Sequence, residues 1–296
     1  MTPIIRTVDA GALAIAYEEW GPTDGRPVLL LHGFPYDPRA FDTVAPALAS
    51  AAMRVIVPYL RGFGPTRFRD ARSMRSGEQA AIADDLRALI DALDLTPAVV
   101  AGFDWGGRAA CIAAALWPER VRGLLAIGGY LIQDPETMLA PLPPAVEQRV
   151  WHQYFLASPR GRMALEHNRV ALCRHFCESW SPGVPFDEAA FAASTLSFDN
   201  PDFVDVVAHS YAHRIGMADG DPRYADIQVR LAGRPRVGVP TIVMRGDAAP
   251  LGGSIANFSQ LIGDRTAPGA GHNPARESPE AVIAALCELD RCPTNR

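Results

Sequence analysis

The sequence lacks an excess of basic charge. Its 28 Lys and Arg residues face 33 Asp and Glu, a net charge of −5, so no positive field is available to hold a phosphate backbone. That argues against a nucleic-acid partner. Long apolar runs are also missing. The richest one, Ala109 to Leu116, falls far short of the ~20 residues a membrane span requires and reads as a buried helix. The opening Met1-Thr2-Pro3-Ile4-Ile5-Arg6 is not a charged start followed by an apolar run, so no signal peptide is expected. The five cysteines (Cys111, Cys173, Cys177, Cys287 and Cys292) are odd in number and include no CxxC. Free thiols in a reducing cytoplasm are the simplest reading. Cys173 and Cys177 stand four apart, but without a second ligand pair nearby no metal site is expected. Internal repeats and low-complexity tracts are absent.

What is present is a rhythm of buried strands and helices. Residues 13–19 read as a strand, and Val28-Leu29-Leu30-Leu31-His32 is a continuous apolar run that stops at Gly33. Such runs belong to strands covered on both faces, hence to a parallel sheet. Similar runs occur at 54–58, 98–102, 121–127 and 240–244. Between them lie helical stretches at 41–50, 78–93 and 108–116; in the second, Ile82, Leu86, Leu89, Ile90 and Leu93 share one face. The pattern is that of βαβ units in an α/β, doubly wound and mostly parallel sheet. From 134 to 229 the rhythm breaks. Aromatics accumulate, helical stretches appear at 144–156, 160–180 and 202–216, and no strong buried strand occurs. The segment is too long for a crossover loop. The expected organisation is a core domain of residues 1–133 and 230–296, with residues 134–229 inserted as a helical cap over the C-terminal edge of the sheet.

The chemistry centres on Gly102-Phe103-Asp104-Trp105-Gly106-Gly107, placed directly after a buried strand and directly before a helix. A Gly-x-nucleophile-x-Gly turn needs small residues on both sides because the central residue is strained and the chain passes close to its neighbours. The helix N-terminus stabilises negative charge there, and the displayed side chain is a carboxylate. Attack by a carboxylate on an ester or amide carbonyl would form an anhydride, which is uphill. Attack on a saturated carbon with a good leaving group forms an ordinary ester, which suits an epoxide or a carbon–halogen bond. A histidine can then activate water against that ester. His272, in Gly269-Ala270-Gly271-His272-Asn273-Pro274, stands late in the chain as the order nucleophile, acid, histidine requires. Asp247, at the end of the 241–246 strand, is the candidate orienting acid. His32-Gly33-Phe34-Pro35 suggests an oxyanion hole in which the backbone N–H groups of Phe34 and Trp105 converge. His32 itself is expected to bond loop backbone. Ser194 and Ser254 lack an elbow, so a serine hydrolase is not indicated, and His209 and His213, without a HExxH glutamate or a third ligand, read as structural.

These residues resemble the epoxide hydrolase and haloacid/haloalkane dehalogenase branch of the α/β-hydrolase superfamily, over nearly the whole chain. His32-Gly33-Phe34-Pro35 is similar to that branch's HGxP motif, Asp104-Trp105-Gly106-Gly107 to its DWGG elbow, and Arg61-Gly62-Phe63-Gly64 to its RGxG turn. Tyr59 replaces the Asp that precedes this turn in many relatives. The resemblance implies an α/β-hydrolase fold and a triad acid two places beyond Asp247, where this chain has Ala249. The alternative family position after the fourth strand holds Gly128 or Gly129, which leaves Asp247. It further implies two cap donors to an epoxide oxygen. Tyr211 matches the second, and the first falls in Val150-Trp151-His152-Gln153-Tyr154-Phe155, with Trp151 at its place and His152 or Tyr154 as alternatives. Fluoroacetate dehalogenases, similar in this segment, carry two arginines after the nucleophile. Arg108 matches one and Trp105 occupies the other place, which weakens the case for a small carboxylate substrate.

The expected activity is hydrolysis of an epoxide to a vicinal diol through an Asp104 ester, without cofactor or metal. Dehalogenation by the same Asp–His mechanism, with Trp105 and Trp151 holding halide, is the alternative. A ligand-binding receptor or pseudoenzyme on the same fold is the reading from another class, and an intact Asp104–His272 pair argues against it. The partners expected are a small apolar organic substrate and water, with no nucleic acid and no membrane; a homodimer is left open. The expected location is cytoplasmic.

Overall fold

The structure is a computed structural model and describes residues 2–248 and 253–292. Among these, nine strands form one sheet: β1 (Ile4–Ala10), β2 (Leu13–Trp20), β3 (Arg26–Leu31), β4 (Met53–Pro58), β5 (Arg67–Phe68), β6 (Ala98–Gly102), β7 (Val121–Ile127), β8 (Thr241–Gly246) and β9 (Leu261–Ala267). Their order is β1-β2-β4-β3-β6-β7-β8-β9, with β5 paired to β2. Pairings involving β2 are antiparallel, and every pairing from β4 across to β9 is parallel.

Alternation along the strands explains the apolar runs. In β3, Val28 and Leu30 join the layer of helices Val44–Ser50 and Pro279–Arg291, where Leu48, Val282, Leu286 and Leu289 lie. Leu29 and Leu31 join the opposite layer with Ile82, Leu86 and Leu89 of helix Gln79–Ala92 and the alanines of helix Asp104–Leu116. Both faces are covered, and each fully buried aliphatic side chain contributes about 1.5–3 kcal/mol. Strands β1, β5 and β9 escape the apolar-run criterion. β1 lies at one edge and leaves Ile4 and Ile5 56% and 60% exposed; β9, at the other edge, exposes alternate residues. An edge strand needs no continuous apolar run because water reaches it.

Between β7 and β8 come only helices and loops. The chief helices are Trp151–Ala157, Pro159–Trp180, Glu188–Thr195, Phe203–Arg214 and Ala225–Ala232. The stretch expected as one helix from 144 is interrupted by a 3-10 turn at Gln148–Val150, and the long helix departs from helical geometry at Asn168. Helix Glu188–Thr195 carries a start signal that periodicity alone overlooks: the Asp187 side chain accepts from the Ala190 N–H at 2.9 Å. Phe203, Val206, Val207 and Tyr211 pack into the same core as Phe34, Phe63 and Trp105. That seats the helix Phe203–Arg214 over the C-terminal ends of β3 and β6. His209 adds a polar tie, accepting from the Gly77 N–H at 3.0 Å.

Candidate active site

The turn after β6 is the sharpest feature near the sheet. Phe103 is still extended, and Asp104, the first residue of the following helix, has φ +50°. A non-glycine residue in this left-handed region costs about 1–2 kcal/mol and persists only where its surroundings enforce it. Here they do. The Gly106 N–H donates to the His32 carbonyl at 3.0 Å, and a Cβ on Gly106 would stand 2.3 Å from the Leu31 oxygen. The elbow is thus clamped against the end of β3, and the carboxylate is displayed above the sheet at the start of a helix.

That carboxylate sits in a ready acceptor pocket. The Phe34 N–H donates to Asp104 Oδ1 at 3.0 Å, and the Trp105 N–H also turns towards it. Arg108 Nη2 lies 3.7 Å from Oδ2. Burial pushes the Asp104 carboxyl up, but Arg108, His272, Arg214 and the Trp105 N–H outweigh it and hold the group below the usual carboxylate range.

His272 faces the same cavity. Its Nε2 is buried without a hydrogen-bond partner. The ring is held by aromatic neighbours: Trp180 at 5.1 Å, Tyr36 at 6.0 Å and Phe103 at 6.1 Å between centroids. Burial lowers its pKa below the ordinary histidine value, against the opposing pull of Asp104 and Glu277. The imidazole therefore rests neutral.

The expected contact between Asp247 and His272 is not made. Asp247 is exposed, and its Oδ2 accepts from the Gly269 N–H at 2.9 Å, so it braces the turn leading to the histidine. Among the described residues no carboxylate bonds the imidazole itself; Ala249 lies outside them. Besides Asp104, the carboxylate whose charge reaches His272 is Glu277. Its Oε2 accepts from the Gly271 N–H at 2.7 Å and the Asn273 N–H at 3.3 Å, the residues on either side of the histidine. Its Oε1 accepts from the Ser181 hydroxyl, and Ser181 Oγ accepts from the His272 N–H at 3.1 Å. Glu277 stands in the helical turn Pro274–Glu277 after the histidine; strand-end reasoning had no reason to look there.

On the opposite wall the structure separates the alternatives for the first donor. Trp151 is 42% exposed and packs on Phe155 and Phe176 outside the cavity. Tyr154 is exposed and donates to Glu147 at 2.6 Å. His152 lines the cavity, with Nδ1 buried and unpartnered. Burial and, after it, Arg214 press its pKa to about 3, so this imidazole is neutral and donates only an ordinary N–H. Tyr211 is buried edge-on against Phe34 at 5.7 Å and His152 at 5.7 Å. Burial and the nearby Asp104 charge raise its pKa, which keeps the hydroxyl protonated. The Trp105 indole N–H faces this hydroxyl without closing a hydrogen bond of good geometry.

Several motif residues prove to be scaffolding. His32, its pKa pressed to about 4 by burial, accepts from the Leu60 N–H at 3.1 Å. Arg61 is fully buried, pairs with Asp85 at 2.7 Å and bonds the Ser76 and Ala81 carbonyls. His213 lies 3.6 Å from Glu78 and stacks on His209.

The cavity shared by Asp104 and His272 holds about 230 Å³. Ile127, Leu131, Val150 and Trp180 supply its apolar wall; Arg108, His152, Gln153 and Arg214 supply its polar one. Arg214 was not anticipated, though it stands three residues after Tyr211 on the same helix, a spacing that puts two side chains on one face. A larger hollow of about 430 Å³ opens behind the histidine loop, beside Tyr36, Cys177 and Glu277, and is not lined by Asp104.

This architecture, a mostly parallel sheet covered by helices on both faces, is one that known proteins share. The chain belongs to the alpha/beta hydrolase fold family, whose model matches residues 26–278. A Klebsiella pneumoniae protein provisionally assigned as an epoxide hydrolase is 42% identical in sequence; its crystal structure superposes with a TM-score of 0.95 over 97% of each chain. A haloalkane dehalogenase of Mycolicibacterium paratuberculosis is 28% identical over 196 residues, 64% of this chain and 61% of that protein. Epoxide hydrolase B of Mycobacterium tuberculosis is 31% identical over 147 residues, 45% of this chain and 40% of that protein. The chain therefore spans from two fifths to three fifths of the length of these curated relatives.

Proposed function

We propose that the chain is a hydrolase that opens an epoxide to a vicinal diol through an ester on Asp104. The observation that carries this reading is the pairing, in one cavity, of a carboxylate held by backbone amides with a neutral histidine whose Nε2 has no partner. Asp104 Oδ2 attacks a ring carbon, the carbon–oxygen bond of the ring breaks, and the alkoxide is met by the N–H of His152 on the opposite wall and by the O–H of Tyr211, which packs edge-on against His152 near Asp104. Oδ1 becomes the ester carbonyl oxygen and already lies in the Phe34–Trp105 amide pocket, where the next step develops negative charge. His272 then takes a proton from water, and hydroxide attacks the carbonyl carbon. Collapse releases the diol, which carries away both protons of that water, one by way of His272 and the other from the new carboxyl group, and restores the carboxylate. Glu277 and Ser181 position the histidine loop, and residues 134–229 serve as the cap that excludes water.

Dehalogenation by the same two steps is the second reading, favoured by one observation: the buried, unpartnered Trp105 indole N–H suits a halide. The exposed Trp151 leaves the expected two-tryptophan halide site half built. One experiment separates these readings from each other and from a receptor or pseudoenzyme. In His272→Gln the first step survives and the second stops, so the ester accumulates and is visible by intact mass. An epoxide adds its whole mass to the peptide containing Asp104, whereas an organohalide adds its mass less hydrogen halide. In heavy-oxygen water a single turnover of the native enzyme labels Asp104. Product oxygen drawn directly from water in the first turnover overturns the mechanism.

A further inference from the structure

The sequence suggests an apolar substrate, and the cavity adds buried charge to its apolar lining. Two guanidinium groups are buried beside the nucleophile. Arg108 is 8% exposed and stands one helical turn after Asp104; Arg214 is 9% exposed and ends the helix Phe203–Arg214 on the other wall. Both line the cavity that holds Asp104 and His272. Arg214 has no acidic partner among the described residues: its charged group lies over the Tyr211 ring at 5.0 Å, and Nη2 is buried with nothing to donate to. Among the described residues lining this cavity the one acid is Asp104, already engaged by two backbone amides. Glu78, a buried acid that lines a small neighbouring hollow with Arg214, spends Oε1 on the Ser76 hydroxyl and the Asp221 N–H and turns Oε2 to His213. Both imidazoles facing the cavity are neutral.

One carboxylate thus stands against two buried guanidiniums. The excess is felt at Arg214, whose pKa burial and then Arg108 push down to about 9. A buried cation without a counter-charge is costly, and natural proteins keep one where a ligand completes it. The missing charge is one unit, and the nitrogen left without an acceptor, Arg214 Nη2, belongs to a guanidinium, the group whose planar fork recognises a carboxylate.

We propose that the substrate carries a carboxylate, clasped between Arg108 of the core and Arg214 of the opposite wall, with the reacting carbon next to it. This rests on the Asp104 ester mechanism proposed above and names its substrate class. Arg108 Nη2 already lies 3.7 Å from Asp104 Oδ2. A carboxylate seated on Arg108 therefore brings its neighbouring carbon within reach of the nucleophile. An epoxide joined directly to a carboxylate, such as oxirane-2-carboxylate, fits this spacing. Its hydrolysis adds one water and yields glycerate.

The test compares oxirane-2-carboxylate with its uncharged amide and with styrene oxide, on the native enzyme and on Arg214→Gln and Arg214→Lys. The native enzyme is expected to prefer the carboxylate over the amide by about 100-fold or more in kcat/KM. Arg214→Gln is expected to lower kcat/KM on the carboxylate about 30-fold, chiefly through KM, and at least ten times less on the amide. Arg214→Lys recovers part of the loss because the charge returns without the fork. Glycerate, but not glyceramide, raises the Tm of the native enzyme, a reading that needs neither turnover nor a folded variant. Equal kcat/KM for acid and amide, or equal Tm shifts from glycerate and glyceramide, overturns the carboxylate clasp. The mechanism is read separately: His272→Gln that traps an ester from styrene oxide but not from the acid leaves the mechanism standing and sinks the clasp. A variant that traps no ester from any of the three sinks the mechanism, while the glycerate shift still reports on the clasp.

Discussion

The two loops that face each other across the cavity are built on different principles. The nucleophile loop is held by its own backbone: the Gly106 N–H on His32, the Phe34 N–H on Asp104, and a glycine with no room for a methyl group. The histidine loop is held from outside, by Ser181 and Glu277 on its backbone and by Trp180, Tyr36 and Phe103 around its ring. A group that must carry negative charge is best fixed by amides, which do not move. A base that must accept and release a proton is better held through its backbone and ring faces, which leaves Nε2 free.

The contrast can be broken most severely at the nucleophile. Asp104→Asn is expected to lower turnover by ~10⁴-fold or more and to yield no trapped ester, measured by kinetics and intact mass. Turnover near the native value would remove Asp104 from the mechanism. Glycines sharpen the comparison next. Gly106→Ala drives a methyl group into the Leu31 and His32 carbonyls and should cost about 3 kcal/mol of stability in denaturant unfolding. Gly269→Ala, at φ +69° with open space around it, should cost only about 1 kcal/mol. Equal losses would mean that the two loops are equally constrained.

The carboxylates of the histidine loop come third. Glu277→Gln should lower kcat about 10- to 100-fold by loosening the loop, whereas Asp247→Asn, exposed and bonded to Gly269, should stay within about threefold. The reverse order would restore Asp247 as the orienting acid. The smallest effect is on pH. Burial lowers the His272 pKa, so the base stays neutral below the ordinary histidine range. The acid limb of the kcat profile should lie below pH ~6.5, and turnover should fall only as pH drops through that depressed value. A limb at or above the ordinary value would mean that His272 is charged at rest.

Legibility followed the same division. Strands β3, β4, β6 and β7 were readable because coverage on both faces forces continuous apolar runs, and the elbow because its glycines and carboxylate are adjacent in sequence. The edge strands β1 and β9 gave no such run. Trp151 took the first donor position on family likeness, but exposure on the outer side of its helix leaves that wall to its neighbour His152. The contact expected of Asp247 followed from its strand end, and a turn of exposed backbone carries it to Gly269 instead.

By itself the sequence determined the doubly wound sheet, the display of Asp104 on a strained turn and the late position of His272, since each depends on neighbours a few residues away. Tertiary structure alone decided the charge of the cavity. Arg108 and Arg214 are 106 residues apart in the chain, and only the packing of helix Phe203–Arg214 over the ends of β3 and β6 buries both guanidiniums beside one carboxylate. Burial is what turns two ordinary surface cations into an unmet demand for an anion, and no local pattern of residues encodes it.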